Sequence, residues 1–340
     1  MKFIWKKIKI VFYLIMFAAF AVALSVFIFL NQTSIKSFFK SEITGSATTT
    51  NSNTSDLLTL IDKNNLVPIT KLESSSTAVN VPQQKLRILI IPGHEPNFGG
   101  AEFGNLKERT MNVELGNDLK QNLDSDSNFQ TFITRGTKSW TPDFSKYFTN
   151  NRSDILKWIK TSREAFFKLI ATGSTTKPYS EVIHNTAPPE VAIRLFGMTK
   201  WANEHNIDVT INIHFNDDAR SNYLKAGKYS GFAIYVPVSQ YRNSATTKLI
   251  ADRIFNRLSQ KYPVSNLKQE SGGIINEADL IAVGVNNTSD AASILIEYGY
   301  IYEKQFQNSK TRSAVIKDFA LQTYLGLKDY FDLNSEAVPN

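Results

Sequence analysis

Hydrophobic positions along the chain follow three successive patterns. From Ile10 to Leu30 they are continuous, with no charged residue and no proline. About 20 apolar residues at a 1.5 Å rise cross the hydrocarbon core of a bilayer, so this run predicts a transmembrane helix. A secretory signal has a shorter apolar region of roughly 7–15 residues. The small residues of "AVALS" (Ala21 to Ser25) would suit cleavage, but "VFIFL" behind them is a poor mature start, and an uncleaved anchor is expected. Periodicity then vanishes in "TGSATTTNSNTSD" (Thr44 to Asp56), which is too polar to bury enough surface to offset its ordering entropy. "LLTLIDKNNLVPITKLE" (Leu57 to Glu73) reads as a short ordered arm, and "SSSTAVNVPQQ" returns to linker.

From about Lys85 the third pattern begins, in which short apolar runs alternate with segments of helical period. Strands are predicted at Leu86–Ile91, Gln130–Thr134, Val209–His214, Gly231–Val236 and Ser293–Tyr298, each rich in β-branched or aromatic residues and bounded by turn formers. Helices are predicted over Leu106–Asn122, Asp154–Ala171, Pro189–Glu204, Thr246–Tyr262 and Thr311–Tyr330, the third opening on a proline that suits a first helical turn. Strands alternating with helices imply an α/β fold: a twisted, mostly parallel or mixed sheet with helices on both faces. In such sheets ligands bind beyond the carboxyl ends of the strands. His94, His214 and Glu297 all fall at or just past predicted strand ends.

Charge changes this picture in one respect. The net charge is +7, but Lys2, Lys6, Lys7, Lys9, Lys36 and Lys40 lie in the first forty residues, which hold no acid. The rest of the chain is close to neutral, so nothing resembles a basic face for DNA or RNA, and nucleic acid is not an expected partner. Four lysines ahead of the apolar run place the N-terminus in the cytoplasm and everything after Leu30 outside it.

The chain has no cysteine, which excludes disulfides and thiolate metal sites. A metal centre here must be built from His, Asp, Glu and water. A catalytic zinc needs three nitrogen or oxygen ligands, an open position for water, and a base beside that water. The two strand-end histidines, His94 in "PGHEP" and His214 in "INIHFND", suit two of those ligand positions. For the third, Glu95, Glu102, Glu108 and Glu114 are all within reach of the same region of sequence. Two further histidines have blander readings: His205 as a helix C-terminal residue and His184 as a loop residue.

Taken in order, "LRILIIPGH" with the glycines and "LKERTMNVELGNDL" behind it, then "INIHFND", "GFAIYV", "EADLIAVGV" and "ASILIEYGYIYEKQF", resemble the zinc-dependent N-acetylmuramoyl-L-alanine amidases of the amidase-3 group. The resemblance runs over about residues 86–330. It implies a phosphorylase/hydrolase-like α/β domain, Zn²⁺ as cofactor, His94, Glu108 and His214 as its ligands, and Glu297 as the catalytic carboxylate. It further implies a peptidoglycan substrate, cleaved between N-acetylmuramic acid and L-alanine. Arg135 is expected either to orient a substrate carboxylate or to form a structural ion pair, and Asp279 to steady a loop or a histidine near the centre.

The expected organisation is a cytoplasmic basic segment (1–9), a single-pass anchor (10–30), a flexible extracytoplasmic linker (31–84), a catalytic domain (85–332) and a tail (333–340). The sequence departs from the family pattern at several points. Ile91 stands where an aspartate is usual before "PGH", and Glu95 where a glycine is usual after it. "TRGTKSW" keeps Arg135 but lacks the acid that follows, and residues 136–188 form a longer insertion, long enough to cover a cleft. Two other readings are compatible with the same residues. One is a zinc carboxypeptidase acting on cell-wall peptides, with Arg135 or Arg194 gripping a carboxylate; the other is a non-catalytic wall-binding regulator. Any activating protein is left unnamed by the sequence.

Overall fold

A computed structural model describes residues 85–180, 182, 184, 186–220 and 222–336. The expected basic segment, anchor and linker, and the last four residues of the tail, lie outside the described residues. Among the described residues, no helix is long and apolar enough to cross a membrane.

Six strands form one mixed sheet. β1 (Leu86–Pro92), β4 (Phe129–Ile133), β5 (Val209–Asn216) and β8 (Ala292–Tyr300) run parallel; β6 (Ala233–Pro237) is antiparallel to β8 and carries β7 (Ile274–Glu277) parallel to itself at the edge. The order across the sheet is β4-β1-β5-β8-β6-β7. Strands β1, β5 and β8 sit side by side at its centre, and their carboxyl ends carry the candidate residues.

Both faces are covered, as the near-continuous apolar strands require. On one face lie α1 (Glu108–Asp124), α5 (Ser244–Ser259), the short α6 (Lys304–Gln307) and α7 (Ser309–Glu336). Their Leu115, Ile254 and Phe319 pack with Ile88, Ile90, Ile211, Ile213, Ile294 and Ile296 from the strands. The other face receives α2 (Pro142–Asn150), α3 (Arg152–Ala171) and α4 (Pro189–Glu204); here Phe144, Met198 and Trp201 meet Leu89 and Ile91. β1 thus alternates its apolar side chains between two cores, the period-two pattern of a strand buried on both sides.

The differences from the sequence-based expectation have local causes. β2 (Glu102–Phe103) and β3 (Leu106–Lys107) pair as a small hairpin, so α1 begins at Glu108 rather than at Leu106. β6 begins after Gly231, whose φ of 95° takes that residue out of the extended region. The short strand β7 and the short helix α2 have too few apolar positions to show a period. The insertion 136–188 forms α2 and α3 and then a strap in which Val182 packs against the sheet beside β6 and Tyr235. α7 continues through residue 332, the expected end of the domain, to Glu336.

Helices α5 and α7 approach until their backbones nearly touch. A Cβ on Gly326 would lie 2.6 Å from the Cα of Ile254, where no side chain fits. Helix propensity alone makes Gly→Ala favourable by about 1 kcal/mol, whereas overpacking costs about 1–3 kcal/mol. With backbone as the obstacle, overpacking dominates. Gly326→Ala is expected to lower stability, read as a lower urea midpoint; a raised midpoint would show that the two helices are not in contact there.

Candidate metal centre

β1 ends at Pro92, and Gly93 donates its N–H to Ile213 O at 2.9 Å, which ties the start of the following loop to β5. A Cβ at Gly93 would lie 2.3 Å from the ring of His214, so only glycine lets the two elements come this close. His94 then adopts φ 69°, in the left-handed region. That turn directs its ring toward His214, with the two ring centroids 4.9 Å apart and their planes at 75°.

Glu108 reaches the same point from the other side of the sheet. It is the first residue of α1 and is 4% exposed. Its Oε1 lies 2.8 Å from His94 Nε2 and 3.0 Å from His214 Nδ1, and Oε2 accepts the Ala101 N–H at 2.7 Å. Helix position contributes, since an acid in the first turn is favoured by the helix dipole. Burial works to raise the Glu108 pKa, but the two imidazoles beside it outweigh burial and hold the carboxyl well below the ordinary range. For His214, burial prevails over the Glu108 carboxylate and lowers the pKa, keeping the ring neutral, which is the form that binds a metal.

One ligand atom from each of His94, Glu108 and His214 falls within 4.8 Å of the others. Nε2 of His94 is buried and faces Glu108 Oε1 at 2.8 Å, though not in the geometry of a hydrogen bond. Two imidazole nitrogens and a carboxylate oxygen gathered at one point fit a zinc ion with an open fourth position. Of the four glutamates compatible with the sequence, Glu108 is the one in this group. Glu95 pairs instead with Arg194 on α4, and Glu102 with Arg109. Glu114 lies further along α1, where burial raises its pKa.

Glu297 is the register partner of His214 on the neighbouring parallel strand, so both side chains leave the same face of the sheet. Its Oε2 is buried without a partner. Burial, reinforced by the negative charges of Glu108 and Glu270, raises its pKa well above the ordinary carboxyl value. Glu270 had no signal in the sequence. It is 1% exposed and accepts hydrogen bonds from Tyr235, Tyr300, Ser265 and Asn216, the last only two residues beyond His214.

Arg135 is 1% exposed, and its guanidinium is engaged by backbone carbonyls. Its Nε donates to Pro92 O at 3.0 Å, while Nη2 donates to Gly93 O and to Arg109 O. The guanidinium thus fastens the loop that carries His94 to the start of α1, and burial lowers its pKa to about 10. These hydrogen bonds go to backbone carbonyls, where the sequence led to the expectation of a substrate carboxylate or an ion pair.

Asp279 is exposed and does not join the centre. The acid that steadies a histidine in this region is its neighbour Glu277, fully buried, which receives Ser180 Oγ, the N–H groups of Ala278 and Asp279, and His184 Nε2 at 3.2 Å. His184 lies outside the metal centre, its ring edge-on to Tyr235. His205 is the C-cap of α4 and stacks on Trp201 at 4.0 Å.

Residues 88–329 match the family described as N-acetylmuramoyl-L-alanine amidase. Among solved structures the chain is similar to the CwlD amidase from Clostridioides difficile in complex with the GerS lipoprotein, at 16% identity and a TM-score of 0.48, over 73% of this chain and 100% of that one. It is similar to the amidase Ami1 from Mycobacterium smegmatis, at 11% identity and a TM-score of 0.48, over 74% and 99% of the two chains. It is also similar to AmiC2 of Nostoc punctiforme, at 17% identity and a TM-score of 0.44, over 74% and 99%. No curated protein sequence matches the chain.

Glu277 generates a pH prediction. Burial works to raise its pKa, but His184, Ser180 and the backbone donors outweigh burial and lower it below the ordinary 4.5. A depressed carboxyl pKa contributes stability that is complete above the unfolded value and is lost as pH falls through the folded one. Glu277→Gln is therefore expected to cost about 1–3 kcal/mol at pH 7, and the gap from the parent should narrow below pH 4.5. Urea midpoints at pH 7 and in mild acid measure this; a constant gap would contradict it.

Proposed function

The chain belongs to the N-acetylmuramoyl-L-alanine amidase family, and from that premise we propose that it hydrolyses the amide between N-acetylmuramic acid and L-alanine of peptidoglycan, at a zinc ion held by His94, Glu108 and His214. The observation that carries this reading is the convergence of those three side chains on one point beside Glu297. Zinc in such a site supplies a Lewis acid and lowers the pKa of water toward about 7.

The chain's own residues do the rest. Glu297, with its raised proton affinity, takes the proton from the attacking water. As the new C–O bond forms and the C–N bond breaks, Glu297 delivers that proton to the departing amine of L-alanine. The products are a free lactyl carboxylate on the sugar and a stem peptide with a free amino terminus. His94, Glu108 and His214 stay fixed throughout, because each is attached to the end of a buried strand or to the first turn of a packed helix.

The place of action is part of the same proposal. An apolar anchor at residues 10–30 behind four lysines puts the domain outside the cytoplasmic membrane, where peptidoglycan lies. Two measurements test the whole. Glu297→Gln is expected to lower cleavage of purified peptidoglycan by about 10²–10⁴-fold with zinc content unchanged, and mass analysis of the parent's digest should show peptides beginning with a free L-alanine. Shortened stems instead of released peptides would refute the assigned bond. The full chain should stay with carbonate-washed membranes, and a chain lacking residues 1–30 should be released; recovery of both in the soluble fraction would refute the anchor.

A further inference from the structure

The loop that carries His94 is fixed unevenly. On its amino-terminal side the carbonyls of Pro92 and Gly93 are held by Arg135, and Gly93 O also receives Asn112 Nδ2 at 3.2 Å. On the carboxyl-terminal side the chain runs into Asn97, Phe98 and Gly99, all exposed, and is next held where Gly99 O accepts Arg109 Nη1 at 3.0 Å. Between these lies Glu95, 6% exposed, whose Oε1 accepts Arg194 Nε at 2.8 Å. Arg194 belongs to α4, a helix seated by Met198 and Trp201 directly on Leu89 and Ile91 of β1.

A buried carboxylate one residue from a metal ligand is expensive unless paired, and a non-glycine residue at φ 69° holds that conformation only when its surroundings enforce it. One contact answers both requirements. We propose that Glu95 and Arg194 are positioning residues for His94: their ion pair fastens the loop to α4 immediately after the ligand and so fixes the left-handed turn that aims the imidazole at Glu108 and His214. Glycine at position 95 would leave the Arg109 contact at Gly99 as the next tie on this side of the loop. The inference rests on the zinc reading given above, and the experiment is arranged to separate the two.

Zinc affinity of the full chain in detergent is measured by competition with a chromogenic chelator, for the parent, Glu95→Gln, Arg194→Gln and the exchanged pair Glu95→Arg with Arg194→Glu. Lys200→Met serves as a control, since Lys200, on the same helix as Arg194, pairs with Asp154 of α3 and with Glu204 rather than with the loop. The single variants are expected to bind zinc about 10–100-fold more weakly, with metal-free melting no lower than that of the control, while the exchanged pair regains most of the loss. Affinity within twofold of the parent in Arg194→Gln, or an equal loss in Lys200→Met, overturns the proposal. Amide hydrogen exchange of residues 93–97 in the zinc-free protein gives a second readout. Faster exchange in Arg194→Gln than in the parent supports the tie, and unchanged exchange overturns it. Should the parent bind no zinc, the zinc reading fails, and this second readout still decides whether the tie holds the loop.

Discussion

Everything at the candidate centre depends on one buried acid. Glu108 sits between two imidazoles with almost no access to water. A carboxylate in that position is costly unless positive charge or hydrogen-bond donors surround it. The protein answers with the first turn of α1, the Ala101 and Phe215 N–H groups, and two ring nitrogens. A divalent cation would complete the balance far better than any of these, because it would satisfy the carboxylate and both nitrogens at once. The acid therefore serves as the point around which strand ends, helix start and loop are arranged.

The sheet makes that arrangement possible. Three parallel strands end together, and α1 delivers its first residue to the same spot from the opposite face. Two large apolar cores grip the sheet from both sides, so the ends of β1, β5 and β8 inherit the rigidity of the interior. Around the ligands lies a layer of fully engaged polar groups. Arg135 donates to four backbone carbonyls, and Glu270 accepts from four side chains, Asn216 among them. Such outer contacts are what hold a ligand set within the tolerance that metal chemistry requires.

Much of this was legible from residue order, and the reasons are physical. β1, β5 and β8 are buried on both faces and read as dense apolar runs, so His94, His214 and Glu297 stood out as polar residues at their ends. α4 was delimited by Pro189 and matched over its full length. Glu108 was not distinguishable from Glu95, Glu102 or Glu114 by pattern; the family resemblance alone singled it out, because the choice depends on a helix start that the β2–β3 hairpin sets. Glu270 and Glu277 were invisible for a related reason. Each is bonded to side chains 30 to 97 positions away, and a single sequence carries no signal for such pairings. Arg135 was noticed, but its partners are backbone carbonyls, which no side-chain pattern encodes.

The pairing of His214 with Glu297 across β5 and β8 has a consequence for how this protein can change over generations. Side chains alternate between layers along a strand, so adding or deleting one residue ahead of either position turns everything beyond it to the opposite layer. A length change within these two strands is thus expected to part His214 from Glu297 unless a bulge absorbs it, as the register shift just past His214 does. The connecting stretches, such as the long one between β4 and β5 that carries α2, α3 and α4, can change length without disturbing that pairing.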